Sequence, residues 1–188
     1  MGVTTNLINK PLNPRAQDAS PLAYNRAALY SGKALSFDGV NDSVNFSGFT
    51  MAGNIATISF YGKVDSPSGS TQYFFDVGAN RLVIGYEVST GFRIYNRSGW
   101  AYYGVVENVT NINFYSVVTE GTTQKVFVNG QQLGVTKSVL ALDFSNISQG
   151  RLGSDNGASG SFLNGQIANA KIFNTALTAA QIADLYNF

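Results

Sequence analysis

Short segments with β-strand character, separated by glycine and asparagine, fill most of this 188-residue chain. In ATISFY, residues 56–61, apolar side chains alternate with their neighbours at a period of two. QYFFDVG, RLVIGYE and GFRIYN follow at close spacing. In KVFVNGQQLGV, Asn129-Gly130 supplies the two positive-φ residues of a type I′ hairpin turn. Many short strands at this spacing predict an all-β fold, either a two-sheet sandwich, a jelly roll or a barrel.

One helix is predicted at the end of the chain, in TALTAAQIADLYNF. Thr178 and Gln181 have the spacing of a capping box, which satisfies backbone groups at a helix start. Ile182, Leu185 and Tyr186 then fall on one helical face. We therefore expect a short helix near residues 178–187 that docks on the sandwich.

The first 30 residues differ in composition from the rest. They are polar and contain Pro11, Pro14 and Pro21, which disfavour helix and remove hydrogen-bond donors that a central strand needs. They lack the apolar run of about 7–15 residues found in a secretory signal. We expect an extended N-terminal arm over residues 1–30, a folded domain over residues 31–188, and no secretory signal in the arm.

Charge and composition exclude several classes of protein. Charged residues make up 12% of the chain, about half the usual share. The net charge is +1 and no basic run is present, so the sequence predicts no nucleic-acid partner. No stretch approaches the roughly 20 apolar residues of a membrane span, so we expect no membrane insertion.

Cysteine and histidine are both absent. Their absence excludes disulfides, thiol nucleophiles and thiolate zinc sites. It also excludes histidine metal ligands and every catalytic arrangement that relies on histidine as acid or base.

Five motifs, in order along residues 33–188, resemble those of LamG-like, concanavalin A-like jelly-roll domains. They are ALSFDGVNDSVNF, ATISFYGKV, KVFVNGQQLG, RLGS and FLNGQIANAKIFNTALTAAQIADLY. The resemblance implies a two-sheet antiparallel jelly-roll sandwich with one short C-terminal helix. It also implies a concave face or loops that bind glycans or protein partners in many relatives.

The chain departs from that family in two places. Ala168 and Asn169 stand where relatives often carry acidic residues, and Phe114-Tyr115 stands where they often have Trp-x-His. Some members of the family bind calcium, and the missing carboxylates weaken that implication for this chain.

Glycoside hydrolysis by glucanases that share this fold requires two carboxyl groups about 5–10 Å apart. On a strand, such a pair sits at i and i+2 or i+4. The three glutamates, Glu87, Glu107 and Glu120, have no acidic neighbour within four residues. The sequence therefore predicts no catalytic residue and a protein that is not an enzyme.

The segment KALSFDGVNDSVNF places two carboxylates and two turn signals within five positions. Asp38 and Asp42 can both accept backbone N–H bonds in a tight connection, and this is the interpretation that we favour. The alternatives are a catalytic carboxylate pair, the least favoured of the three interpretations, and calcium, which takes six to eight oxygen ligands. Asp38 and Asp42 would then require help from a distant loop, with Asp155 and Asn156 as the candidates. Calcium is the one cofactor that the sequence leaves open.

The aromatic run WAYY, residues 100–103, is the candidate ligand-binding segment. On a strand, Trp100 and Tyr102 share one face and Tyr103 points to the other. Flat aromatic rings stack on sugar rings, so Trp100, Tyr102 and Tyr95 are the predicted binding residues. The competing interpretation, favoured for Trp100, is a place in the core, where large aromatic side chains usually lie. The same two alternatives hold for three tyrosines: Tyr73, Tyr86 and Tyr95.

These features lead to one functional hypothesis and two alternatives. The first is a non-catalytic structural or decoration protein on a phage capsid or tail surface, made in the host cytoplasm. Its LamG-like domain would bind glycans or a host surface, and its arm would contact identical subunits or other virion proteins. The alternatives are a free-standing or excised extracellular lectin module and a degenerate glycoside hydrolase.

Overall fold

The computed structural model describes residues 34–51, 53–155 and 161–187. Within this part of the chain, twelve strands precede one helix. The strands are β1 (Leu35–Asp38), β2 (Val44–Ser47), β3 (Ile55–Val64), β4 (Gln72–Val77), β5 (Leu82–Glu87), β6 (Gly91–Tyr95), β7 (Trp100–Gly104), β8 (Asn113–Glu120), β9 (Thr123–Val128), β10 (Gln131–Ser138), β11 (Gln149–Leu152) and β12 (Asn164–Phe173). The helix is α1 (Ala179–Asn187). The predicted arm, residues 1–30, lies outside the described residues.

Two six-stranded antiparallel sheets form a sandwich. Sheet A has the strand order β1-β12-β3-β8-β9-β10, and sheet B has the order β2-β11-β4-β5-β6-β7. Consecutive strands such as β1 and β2, or β11 and β12, belong to different sheets, so the chain crosses repeatedly between the two layers. The predicted jelly-roll sandwich with one short C-terminal helix is confirmed.

The core lies between the two sheets and follows from the period of two within each strand. Phe60 of β3 and Tyr115 of β8 come from sheet A, while Phe74 of β4 and Phe92 of β6 come from sheet B. The Tyr115 ring stacks on Phe60 and on Phe92, with 5.2 Å between ring centroids in both pairs. Each buried large apolar side chain contributes about 1.5–3 kcal/mol, so this aromatic layer holds the sheets together.

The predicted hairpin forms as expected between β9 and β10. Asn129 has φ 50° and Gly130 has φ 81°, the positive values that a type I′ turn demands. The Asn129 side chain also accepts a hydrogen bond from the backbone N–H of Phe114 and donates one to Asn113. The turn is therefore stabilised by its own backbone conformation and by hydrogen bonds to the neighbouring strand β8.

Helix α1 packs against the outer face of sheet A. The capping box is present: Thr178 N–H donates to the Gln181 side chain, and Gln181 N–H donates back to Thr178 Oγ1. Ile182 is fully buried against Tyr61 and Phe114. No helix in the described part of the chain is long and apolar enough to cross a membrane.

A buried polar cluster links the two sheets at one end of the core. Gln124 of β9 is 0% exposed and exchanges two hydrogen bonds with Asn96, which directly follows β6. The hydroxyl of Tyr103 on β7 donates to Gln124 Oε1 at 2.8 Å, and Gln124 Nε2 donates to Thr119 at 3.0 Å. Both sheets thus share one satisfied amide network, which fixes the β6–β7 hairpin relative to sheet A.

We expect Gln124→Leu to lower the free energy of unfolding by about 2–4 kcal/mol, since each buried polar group left without a partner costs about 1–3 kcal/mol. Leucine is similar in size to glutamine, so the loss of unfolding free energy measures the contribution of the hydrogen bonds. Urea denaturation followed by circular dichroism measures it. Gln132→Leu on the exposed strand β10 is the matched control. Equal stabilities of the two variants would contradict a role for the network.

Candidate functional site

One row of side chains crosses the entire outer face of sheet B, the face that points away from the core. The strand pairings place one residue from each strand in this row: Asn45, Arg151, Asp76, Val83, Tyr95 and Trp100. Strands lie about 4.8 Å apart, so the row spans about 24 Å from Asn45 to Trp100. A second, shorter row runs beside it: Tyr73, Gly85, Arg93 and Tyr102. In the described part of the chain, no helix packs on this face.

Three aromatic rings and an arginine form a cluster at one end of the face. The Trp100 ring lies 5.4 Å from the Tyr95 ring and 6.0 Å from the Tyr73 ring, to which it is nearly parallel at 14°. The guanidinium carbon of Arg93 lies 4.3 Å from the centre of the Trp100 ring, a cation–π contact. Arg93 also forms an ion pair with Glu87. We call Tyr73, Tyr95, Trp100 and Arg93 the aromatic cluster.

Trp100 lies on this outer face and remains partly exposed. The favoured expectation that Trp100 fills the core is therefore wrong. The reason is which residues of β7 point toward the core. Ala101 and Tyr103 occupy the inward positions of that strand and pack in the core. Trp100 and Tyr102 consequently point outward together, as the alternation predicts, and Tyr102 is 45% exposed. Tyr86, in contrast, belongs to the core.

Two members of the aromatic cluster were not among the predicted binding residues. Arg93 precedes Tyr95 by two positions, so strand alternation alone would have placed both on one face. The direction of the Tyr73 side chain does not follow from strand alternation, because a β-bulge in β4 interrupts it. As a result, Phe74 and Phe75 both point into the core. Only the three-dimensional pairing of β4 with β5 brings Tyr73 to Trp100.

Gly85 makes room for the Tyr73 ring on the sheet. A Cβ atom at Gly85 would lie 2.9 Å from Cδ1 of Tyr73 and 2.9 Å from the Thr71 methyl group. Both distances are below normal van der Waals contact. The missing side chain therefore allows Tyr73 to lie close to β5 and to reach the Trp100 ring.

The protonation states of the face follow from its contacts. Burial raises the pKa of Tyr73, so its hydroxyl stays neutral. The hydroxyl of Ser89, which donates to Glu87 at 2.6 Å, lowers the pKa of Glu87, and Arg93 lowers it further. At neutral pH the ion pair of Glu87 and Arg93 is intact. The cluster thus offers flat rings and the neutral hydroxyl of Tyr73, with its one arginine paired with Glu87.

A polar pocket of about 310 Å³ lies at the opposite end of the row. Its polar side chains are Asn45, Ser47, Asp76, Gln149 and Arg151. Arg151 Nε donates to Asn45 Oδ1 at 2.7 Å, and its Nη1 donates to the backbone carbonyl of Asp155 at 2.8 Å. The guanidinium is therefore held in place by two hydrogen bonds. We refer to this depression as the polar pocket.

The three candidate metal ligands in the described part of the chain, Asp38, Asp42 and Asp155, are not gathered into one group. Asp38 Oδ1 accepts hydrogen bonds from the backbone N–H groups of Val40 and Asn41, and Asp42 Oδ2 accepts one from Asp38 N–H. The bond from Val40 is the main cause that lowers the pKa of Asp38. These are the contacts expected of a turn.

The backbone carbonyl of Asp155 accepts hydrogen bonds from Arg151 and Ser154, whereas its buried carboxylate Oδ1 has no hydrogen-bond partner in the described part of the chain. Asn156 lies outside the described residues. Among residues 34–51, 53–155 and 161–187, no group of three or more acidic, histidine or cysteine side chains could hold a metal ion.

The described part of the chain is a two-sheet β-sandwich with an aromatic cluster on the outer face of sheet B. The sequence model for the concanavalin A-like lectin/glucanases superfamily, of the laminin G type, matches residues 38–183. The chain belongs to this superfamily, which confirms the resemblance to LamG-like domains. No curated protein sequence matches the chain.

Solved structures with this fold include a pentraxin and a sialidase. The native heptameric SAP-like pentraxin from Limulus polyphemus has a TM-score of 0.67 at 15% identity, over 80% of each chain. The Trypanosoma rangeli sialidase in complex with sialic acid has a TM-score of 0.65 at 16% identity. That match covers 81% of this chain but 27% of the sialidase, so the chain spans about a quarter of that enzyme's length. At these identities the similarity shows the fold alone.

We expect calcium to leave the melting temperature unchanged within about 1 °C, because Asp38 and Asp42 already accept backbone hydrogen bonds. A specific site at 100 times its dissociation constant would add about 2.7 kcal/mol, which is several degrees for a domain of this size. Differential scanning calorimetry with and without EDTA measures the shift. A rise of several degrees that is lost in Asp42→Ala would show a calcium site instead.

Proposed function

We propose that this protein binds carbohydrate through the outer face of sheet B, with Trp100 as the central contact. The observation that carries the proposal is a partly exposed tryptophan held between fixed neighbours. Tyr73 and Tyr95 contact the Trp100 ring, and Arg93 lies against it. Aromatic rings provide sugar rings with a flat apolar surface, and the tyrosine hydroxyls add hydrogen-bonding groups. A ring already held in place loses little conformational entropy when a ligand binds.

Membership of a lectin and glucanase superfamily is compatible both with binding alone and with hydrolysis. We favour binding alone. Glu87, the glutamate on the candidate face, is engaged by Arg93 and Ser89, and hydrogen bonds and charge keep it ionised. A glycosidase needs one carboxyl group with a raised pKa as proton donor. A carboxylate held ionised by an arginine is poorly suited to that role.

We expect Trp100→Ala to weaken binding of a retained polysaccharide about thirtyfold, the effect of losing a central contact worth about 2 kcal/mol. Trp100 is the only tryptophan in the chain. Sugar binding should therefore change the intrinsic tryptophan fluorescence of the unmodified protein directly, which reports contact at this position.

The assay first screens the unmodified protein on a glycan array and then titrates the retained glycans. Val135→Ala, an exposed apolar position on β10 of sheet A, is the matched control and should bind normally. Circular dichroism confirms that both variants are folded. Binding that persists undiminished in Trp100→Ala would exclude this face. Release of reducing ends from a bound polysaccharide would contradict the non-enzyme proposal.

We further propose that the domain is displayed on a virion surface, with residues 1–30 as the assembly segment. The low share of charged residues, 12%, and a proline-bearing polar arm support a protein built into an assembly. The Limulus pentraxin with this fold is described as heptameric, so the fold is compatible with a symmetric assembly. An extracellular lectin module with the same binding face is the alternative.

Deletion of residues 1–30 should leave the circular dichroism spectrum of the domain unchanged and reduce the protein to a monomer. The deleted segment contains too few apolar side chains for a core of its own, so its leucines gain most by burial on a neighbour. Light scattering after size exclusion gives the mass of both forms. An unfolded truncated chain would make the arm part of the domain, whereas unchanged assembly would favour the lectin module.

A further inference from the structure

The polar pocket and the aromatic cluster occupy the two ends of a single row on sheet B. Asn45 and Arg151 begin the row and Tyr95 and Trp100 end it, five strand spacings or about 24 Å apart. Between them, Asp76 and Val83 are only 1% and 3% exposed. Side chains accessible to a ligand are therefore concentrated at the two ends of the face.

The polar pocket has the chemistry of a site for a hydroxyl-rich ligand. Amide groups of Asn45 and Gln149, the hydroxyl of Ser47 and the guanidinium of Arg151 supply donors and acceptors around one depression. Its volume of about 310 Å³ is at the lower end of the range for small-molecule sites. Because Arg151 is already oriented by Asn45 and by a backbone carbonyl, the pocket does not have to be ordered by its ligand.

An acidic side chain stands near the arginine at each end of the face. Arg151 is the direct cross-strand partner of Asp76, so a cation and a carboxylate stand side by side in the polar pocket. At the other end, Arg93 is paired with Glu87. Each arginine of the two rows thus has a carboxylate near it, Glu87 in an ion pair with Arg93 and Asp76 at the cross-strand position beside Arg151. A carboxylate or sulfate ester on a ligand would meet a nearby acidic side chain at either end.

We infer that the polar pocket is a second subsite for the ligand of the aromatic cluster, and that this ligand is an uncharged glycan chain long enough to contact both. The inference rests on the proposed carbohydrate function of this face. One sugar residue occupies either the cluster or the pocket. A chain that spans the face contacts both, and the second contact becomes intramolecular once the first has formed.

The test is a length series measured by isothermal titration calorimetry on the full chain. The probes are cello-, laminari-, malto- and xylo-oligosaccharides from monomer to hexamer, with oligogalacturonates of the same lengths as anionic counterparts. For at least one neutral series, we expect the affinity to rise about 100-fold or more between dimer and hexamer. The oligogalacturonates should bind no more tightly than neutral chains of equal length.

Two variants separate the subsites. Gln149→Ala changes a pocket side chain on the exposed end of β11 and removes none of the hydrogen bonds that hold Arg151. It should weaken the hexamer and leave the dimer unchanged, whereas Trp100→Ala should weaken both. Arg151→Gln should likewise weaken hexamer binding and leave dimer binding unchanged, with a larger loss of hexamer affinity than in Gln149→Ala. Circular dichroism checks that this variant is folded.

Each other outcome has a definite meaning. The two-subsite inference is overturned if the monosaccharide binds as tightly as the hexamer, or if the oligogalacturonates bind most tightly. Neither result contradicts the proposal that this face binds carbohydrate. Both conclusions hold as well if Gln149→Ala and Arg151→Gln bind the hexamer normally. If the unmodified protein binds none of these probes and no glycan on the array, the proposed function fails together with the inference.

Discussion

Each strand in a sandwich has one side for the core, and this constraint decides where the candidate binding residues of this protein lie. In β7, Ala101 and Tyr103 take the inward positions, so Trp100 and Tyr102 point outward. Sheet A uses part of its outer face to pack α1 through Ile182. The outer face of sheet B has no such helix in the described part of the chain, and it carries the residues of the proposed binding site.

The same core also fixes the hairpin that carries the aromatic cluster. Tyr95 ends β6 and Trp100 begins β7, and the turn between them starts at Asn96. The side chain of Asn96 is buried and exchanges two hydrogen bonds with Gln124 of sheet A, while its backbone N–H donates to Gly99. Fold stability and the position of the Trp100 ring therefore depend on one amide pair. The orientation of the aromatic cluster therefore depends on buried hydrogen bonds as well as on contacts among its own side chains at the surface.

Local patterns in the sequence were sufficient to predict several of the strands, the Asn129-Gly130 turn and the capping box at Thr178, since each depends on neighbours a few positions apart. The pairing of Trp100 with Tyr102 on one face followed for the same reason. The choice of face did not, because a period of two fixes the relation between residues without saying which side meets the core. Tyr73 and the polar pocket depend on which strands pair, and that information lies in contacts across the whole chain.

The position of Arg93 in the aromatic cluster lowers the stability of the fold locally. Its Nε is buried and has no hydrogen-bond partner in the described part of the chain, a situation that costs about 1–3 kcal/mol. The ion pair with Glu87 and the contact with the Trp100 ring offset part of this cost, since a cation–π contact contributes about 0.5–2 kcal/mol. An aliphatic residue at position 93 would avoid the cost but would remove the charge that lies against the ring. Natural proteins tend to break such local rules at functional sites, so this cost supports the binding role that we propose for the cluster.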